Sequence, residues 1–352
     1  MNEQSIQKIS NFREPVIGLP NIFYLAIMSL FLFWSSPTMA SETAIVIHGG
    51  AGTILKERMS RSVEADYRQS LKHSVMAGHR ILEAGGTSTE AVIAAITIME
   101  DSPLFNAGHG AVFNNDGEVE LDASIMNGDD LNAGAATGIK TVQNPIQLAL
   151  AILKNSPHVM LMGEGAEAFA KNQGLELVEN EYFYTDRRYK QLIKAQSGKN
   201  DTALSESQDD EFEPQVFGTV GAVAIDKTGT IVAGTSTGGM TNKRFGRIGD
   251  SPIIGAGTYA DSRYCGISAT GHGEYFIRAA VAHDICAMVN YKNITLKEAA
   301  NEVIQKKLVA MGGQGGIVGI DSKANISYSF NTSGMYRAAM DKAGNLEIAI
   351  FR

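Results

Sequence analysis

From residue 44 onward, short wholly apolar runs alternate with longer stretches in which apolar positions recur every three or four residues. Ala44-Ile45-Val46-Ile47 is the first such run. Without polar alternation it predicts a strand covered on both faces, leading into a turn at His48-Gly49-Gly50-Ala51-Gly52. Helical periodicity follows over about 63–83 and stops at Gly85-Gly86. A second helix opens at Thr87, where Glu90 three positions on completes a capping-box signature, and its inner face carries Val92, Ala95, Ile96 and Met99. Asn115-Asp116-Gly117 predicts a hairpin between 111–113 and 119–123, and further helices fall at about 145–154 and 163–171.

The second half is punctuated differently. Residues 219–225 and 230–235 are β-type runs separated by Asp226-Lys227-Thr228-Gly229, a strong turn sequence. If Asp226 faces Thr230, position 219 lies opposite position 237, so hairpin geometry sets Thr237 beside Thr219; a one-residue slip would present Ser236 instead. Tyr264-Cys265-Gly266-Ile267-Ser268-Ala269 reads as a strand, Thr270-Gly271-His272-Gly273 as a glycine turn, and about 274–289 as a helix. Main-chain N–H groups at such a turn point outward and suit developing negative charge, as in an oxyanion hole; a plain strand-to-helix turn carries the same pattern. The loop Arg244-Phe245-Gly246-Arg247-Ile248-Gly249-Asp250-Ser251-Pro252 sets Arg247 and Asp250 three apart. Such a pair could receive the carboxylate and the ammonium of an amino acid. A surface ion pair is the plainer reading.

Composition narrows the field. The 352-residue chain is 44% hydrophobic and 19% charged, enough to build a sizeable core, and a net charge of −8 without a basic stripe argues against a nucleic-acid partner. Residues 1–40 differ from the rest: Lys8 and Arg13 precede the apolar run 22–34, then Ser35-Ser36-Pro37-Thr38-Met39-Ala40. That is the order of a secretory signal peptide, and the run is shorter than the roughly 20 residues of an easy bilayer span. The expectation is an exported, periplasmic protein with no membrane contact after signal removal. An uncleaved anchor, or a cytoplasmic site should the segment not work as a signal, is the alternative. From about 197 to 216 the chain turns polar and acidic, as mobile segments do. Cys265 and Cys286 read as small core residues rather than a disulfide framework, and the seven histidines show no metal-ligand spacing.

The chemistry concentrates at Gly218-Thr219. A threonine inside a chain is a poor nucleophile. Freed at its amino side, it would carry a hydroxyl beside an α-amine with a reference pKa of about 7.7–8.0, nucleophile and base on one residue. The mobile segment upstream would supply the slack for the new chain end to move away.

Taken together, these residues resemble the plant-type asparaginase and isoaspartyl aminopeptidase family, within the N-terminal-nucleophile hydrolases. The matching segments are Ile47-His48-Gly49-Gly50-Ala51-Gly52, Pro103-Leu104-Phe105-Asn106-Ala107-Gly108, Leu121-Asp122-Ala123, Gly218-Thr219-Val220-Gly221-Ala222-Val223-Ala224 and Thr235-Ser236-Thr237-Gly238-Gly239-Met240. Gly246-Arg247-Ile248-Gly249-Asp250-Ser251-Pro252, Thr270-Gly271-His272-Gly273-Glu274 and Phe330-Asn331-Thr332-Ser333-Gly334-Met335-Tyr336-Arg337 complete them, covering the chain from Ala44 onward. The resemblance implies an α+β fold, a four-layer αββα sandwich built by residues 41–352 as one domain. It implies self-cleavage between Gly218 and Thr219 into interleaved fragments, 41–218 and 219–352, that pair as (αβ)2.

By the same resemblance Thr219 is the nucleophile, Thr237 tunes it, and Thr270 with the Gly271 N–H holds the oxyanion. Arg247 clamps the substrate α-carboxylate, Asp250 its α-ammonium, with His272, the Gly273 carbonyl and Asn106 adding contacts. No organic cofactor is implied. A structural sodium ion is, held by main-chain carbonyls of Met99, Glu100, Ser102, Phe105, Ala107 and His109. The substrates implied are β-aspartyl dipeptides and asparagine. A glycosylasparaginase of the same fold is the nearest alternative. Gly-Thr-Val-Gly, Ser-Thr-Gly-Gly and Thr-Gly-His-Gly-Glu stand here where such relatives tend to carry Asp-Thr-Ile-Gly, Ser-Thr-Asn-Gly and Thr-Gly-Asn-Gly-Asp. A non-catalytic exported amino-acid-binding protein, using only Arg247 and Asp250, is the reading from another class.

Overall fold

The computed structural model describes residues 42–197 and 216–352. Residues 1–40, expected to be a signal peptide, and nearly all of the acidic stretch lie outside the described residues. Among those described, no helix is long and apolar enough to cross a membrane.

The first half supplies β1 (Ala44–Gly52), β2 (Leu121–Asn127), β3 (Ala133–Ile139) and β4 (Met160–Met162). With them come α1 (Arg61–Glu83), α2 (Ser88–Glu100), α3 (Pro145–Asn155), α4 (Gly163–Asn172) and α5 (Asp186–Gln196). Local signals set several of these bounds. Ser60 caps α1 by accepting from the Val63 N–H, and Thr87 and Glu90 form both halves of the capping box of α2. Pro145 at the first turn of α3 has no N–H to lose there.

The second half adds β5 (Val216–Phe217), β6 (Val220–Ile225), β7 (Ile231–Thr237), β8 (Thr258–Asp261) and β9 (Cys265–Gly271). It ends with β10 (Gly315–Asp321), β11 (Ile326–Phe330), β12 (Gly334–Met340) and β13 (Leu346–Phe351). Its helices are α6 (Gly273–Ala279), α7 (Val281–Lys292) and α8 (Leu296–Asn301).

Two sheets result among the described residues. The larger runs β13-β12-β1-β6-β7-β2-β3-β4 with β5 on β1, and the smaller runs β11-β10-β9-β8. Among the strands named here, β3 and β4 alone pair in parallel. Alternation along the central strands sorts their side chains. Ile45, Ile47, Val220, Ala222, Ala224 and Val232 pack with residues of α1 and α2 such as Leu71, Val75, Val92 and Ile96. Their neighbours Ala44, Val46, Val223, Ile225, Ile231 and Ala233 pack with Ala260, Val318 and Ile320 of the smaller sheet. The other face of that sheet, with Ile267, Ala269 and Ile317, is covered by Phe276, Val281, Ile285 and Leu296.

Four expectations need correcting. The stretch His48–Gly52 is not a turn: β1 continues through it, because β12 and then β5 pair with Ala51 and Gly52, and a bulge between His48 and Ala51 absorbs the glycines. The hairpin around Asn115 is a single bridge, Phe113 to Val119, since the following segment leaves to pair with β3 and β7. The helix over 274–289 is two helices, broken at Ala280, which takes a left-handed φ of 49°. Cys265 and Cys286 are buried as expected but bonded to each other, β9 and α7 bringing their Cα atoms to 5.7 Å.

Candidate active site

The β6–β7 hairpin adopts the register that the turn over 226–229 implies: Val220 faces Ser236 and Ile225 faces Ile231. One step beyond, at the end of the ladder, the Thr219 hydroxyl donates to Thr237 Oγ1 at 3.2 Å. Thr237 Oγ1 donates in turn to the Gly218 carbonyl at 2.9 Å and accepts from the Gly239 N–H at 3.0 Å. A hydroxyl has one proton and two lone pairs, so Thr237 is fully engaged. The Gly218 carbonyl receives a second donor, Asn106 Nδ2 at 2.7 Å. The peptide bond between Gly218 and Thr219 therefore has a hydroxyl on one side and two donors on its carbonyl oxygen.

Asn106 is itself held. Its Oδ1 accepts from the Val112 N–H at 2.8 Å, its Nδ2 also reaches the Gly239 carbonyl at 2.8 Å, and its own carbonyl accepts from Gly238 N. Pro103-Leu104-Phe105, just before it, is steadied by Tyr67 and Arg187, both donating to the Leu104 carbonyl.

The second part of the site is charged. Arg247 does not pair with Asp250. Its Nε and Nη2 donate to the two oxygens of Glu274, both at 2.9 Å. A substituent on Gly239 would lie 3.6 Å from Arg247 Nη1, so the remaining edge of the guanidinium faces the Thr237–Gly239 turn. The pairing of Glu274 with Arg247 leaves no signal in the sequence, because nothing local links positions 27 apart. Its carboxyl is held below the ordinary range by the hydrogen bond from Arg247. His272 Nε2 lies 3.2 Å from Glu274 Oε2 and its ring meets Tyr275 edge-on.

Asp250 is buried against Gly273, where an added Cβ would come within 3.0 Å of its Oδ1. Its Oδ2 has no partner among the described residues. Burial raises its pKa to about 7, with Glu274 and Asp122 adding to the shift and Arg247 opposing it. A buried carboxyl with an open oxygen suits a cation supplied from outside. Thr270 is fully buried on β9, on the same face of the strand as Ser268, and Gly271 follows it opposite Gly315.

Residues 101–109 form a tight loop directly after α2. Met99, Glu100, Phe105 and Ala107 are buried, and the His109 N–H donates to the Glu100 carbonyl at 2.7 Å. Gly108, at φ 50°, lets that carbonyl approach so closely that a Cβ there would overlap it. The Glu100 carboxyl is buried too, its Oε1 accepting from Ser236 Oγ at 2.6 Å and the Ile146 N–H at 3.0 Å. Burial raises its pKa to about 8.

The family model described as asparaginase matches residues 41–350. Over 297 residues the chain is 48% identical to an isoaspartyl peptidase of Escherichia coli, covering 84% of this chain and 92% of that one. A Salmonella typhimurium isoaspartyl peptidase is 46% identical, with 85% and 95% covered. An isoaspartyl peptidase/L-asparaginase of Xenopus laevis is 39% identical, with 88% and 96% covered.

Proposed function

The chain belongs to the asparaginase family, and from that premise we propose that it is a self-processing hydrolase of β-aspartyl dipeptides and asparagine, with Thr219 as nucleophile. The observation that carries this reading is the pair of donors, Thr237 Oγ1 and Asn106 Nδ2, on the carbonyl of the peptide bond that precedes Thr219.

In processing, Thr219 Oγ attacks the Gly218 carbonyl carbon. Its proton passes to Thr237 Oγ1 while the Thr237 proton moves to the former carbonyl oxygen, so the adduct forms neutral. The C–N bond then breaks with the proton returned to nitrogen, leaving Gly218 as an ester on Thr219. Breaking the C–N bond has already freed the Thr219 amine; water then hydrolyses the ester, giving the Gly218 carboxylate and the free Thr219 hydroxyl. Two donors already in place on the oxygen where charge develops cost no reorganisation.

In turnover the freed amine takes the Thr219 hydroxyl proton as Oγ attacks the side-chain carbonyl of the substrate's aspartyl group. Ammonia or an amino acid leaves, and water releases aspartate. Asp250 takes the α-ammonium at its open oxygen, and Arg247 offers its Gly239-facing edge to the α-carboxylate without leaving Glu274. Thr270 and the Gly271 N–H hold the oxyanion, with His272 and the Gly273 carbonyl at the rim.

The packing of helices, two sheets and helices supports a four-layer αββα sandwich formed by residues 41–352 as one domain, cut into 41–218 and 219–352 and paired as (αβ)2. The bonded cysteines support export to an oxidising compartment such as the periplasm. By family resemblance, a structural sodium ion would be held by main-chain carbonyls of residues 99, 100, 102, 105, 107 and 109; of these, the Glu100 carbonyl packs on Gly108 inside the loop. Bound there, the ion would brace the loop that carries Asn106.

Rates on β-aspartyl-leucine, asparagine and a glycosylated asparagine, measured side by side, test the reading. The first two are expected to turn over and the third is not. Activity confined to the glycosylated substrate, or absent on all three, overturns it.

A further inference from the structure

Between the two sheets runs a line of buried polar side chains that the reaction above does not use. His48, Thr235 and Ser124 come from β1, β7 and β2; Ser268 and Thr258 come from β9 and β8; all five are fully buried. His48 Nδ1 lies 3.0 Å from the Thr219 carbonyl, and its Nε2 lies 2.9 Å from Ser268 Oγ. Ser268 Oγ is 2.8 Å from Thr235 Oγ1, to which Thr258 donates at 2.5 Å. Ser124 lies 2.8 Å from Thr258 Oγ1 and 2.6 Å from the Ser251 carbonyl, one residue beyond Asp250.

A carbonyl can only accept, and that fixes the sense of the first links. The Thr219 carbonyl requires the proton on His48 Nδ1. Burial holds the imidazole neutral, with a pKa lowered to about 3, so Nε2 is bare and accepts from the Ser268 hydroxyl. Gly221 leaves the room for this: a Cβ there would come within 2.5 Å of His48 Nε2 and overlap Ser268 Oγ. The glycine two residues after the nucleophile thus serves the line behind it.

We infer that His48 and Ser268 are positioning residues: the Thr219 carbonyl sets His48 as the Nδ1–H tautomer, Ser268 donates to the bare Nε2 and so orients the ring, and His48 anchors the main chain of Thr219. The inference rests on Thr219 being the nucleophile, and it follows from what cleavage does to that residue. Once the bond from Gly218 is broken, Thr219 keeps one covalent neighbour. The ladder pairing of Val220 and the bond from His48 to its carbonyl then restrain it, and a displacement of about 1 Å costs on the order of 10²-fold in rate.

His48→Asn and His48→Gln separate the two ends of the imidazole. The asparagine amide replaces the Nδ1 donor, whereas the glutamine amide reaches toward Ser268 instead. On β-aspartyl-leucine, His48→Gln should lower kcat about 10- to 100-fold with KM nearly unchanged, and His48→Asn should recover most of the loss. Ser268→Ala, a smaller perturbation, should lower kcat about tenfold or less. A readout independent of activity is the ring-nitrogen NMR spectrum of histidine-labelled protein. It should show a His48 ring protonated at Nδ1 alone, with the Nε2 resonance shifting in Ser268→Ala as its hydrogen bond is lost.

A ring protonated at Nε2 overturns the inference, as does a His48→Gln enzyme with unchanged kcat. Equal losses in the Asn and Gln variants accompanied by equal drops in melting temperature mean a merely structural role and overturn it too. Wild-type protein inactive on all three substrates instead brings down the reading of function, and the role given to His48 with it.

Discussion

Thr237 Oγ1 makes three hydrogen bonds at 2.9 to 3.2 Å, whereas Asp250, as deeply buried, leaves Oδ2 without a partner among the described residues. The two ends of one site are built on opposite terms. At Thr219 the groups needed to break a bond are complete within the chain, which suits a reaction whose first substrate is the chain itself. At Asp250 one oxygen is left open, as the proposed binding of a substrate ammonium requires. Burial outweighs the opposing charge of Arg247 and raises the carboxyl to about 7, a cost that the proposed substrate ammonium would relieve. The difference teaches which contacts to remove to stop processing, and which to remove to stop binding.

The largest effect should follow from removing the nucleophile. Thr219→Ala should lower turnover of asparagine and β-aspartyl-leucine by at least roughly 10⁴-fold while leaving thermal stability close to wild type, checked by steady-state assay and calorimetry. Next comes Asn106→Ala, which removes one of the two donors on the Gly218 carbonyl. Processing followed by gel should slow about 10²- to 10³-fold. If it proceeds at the wild-type rate, the nucleophile end is not self-contained in the way described.

Asp250→Asn should act on the other end alone. The chain should still be cut, and KM for asparagine should rise about 10²-fold. The sign of the pH dependence follows from the raised pKa: below about 7 Asp250 is protonated and cannot hold an ammonium, so wild-type kcat/KM should rise with pH through that value. The limb should be missing in Asp250→Asn. Its survival there would assign it to another group, the Thr219 amine being the first alternative.

The smallest effect concerns Glu100, which joins the loop carrying Asn106 to Ser236 beside Thr237. Its folded pKa of about 8 lies above its ordinary 4.5, so the folded state holds a proton that the unfolded state releases between those values. Stability should therefore fall as pH rises from about 4.5 to 8 and level off above, a change on the order of a few kcal/mol shared with Asp250. Glu100→Gln should flatten this part of the curve in chemical denaturation run across pH.

Much of the nucleophile end was legible in the sequence because its determinants are local. The turn over 226–229 pins the hairpin, and pinning the hairpin places Thr237 beside Thr219. The capping box at Thr87 and Glu90 is equally local. What the sequence did not disclose depends on residues far apart in the chain. Glu274 meets Arg247 because the loop and the start of α6 pack together, and Cys265 meets Cys286 because β9 lies under α7. His48 sits in a glycine-rich stretch that reads as a turn, and only pairing with β6 and β12 makes it strand. A lone histidine in such a run carries no sign of Thr219 or Ser268.

The account turns on one covalent event, and intact-mass spectrometry of the purified, active protein under denaturing conditions tests it most directly. Two polypeptides are predicted, about 19 and 14 kDa from the mean residue mass, the smaller beginning at Thr219. A single unbroken chain that turns over β-aspartyl-leucine at full rate would contradict it.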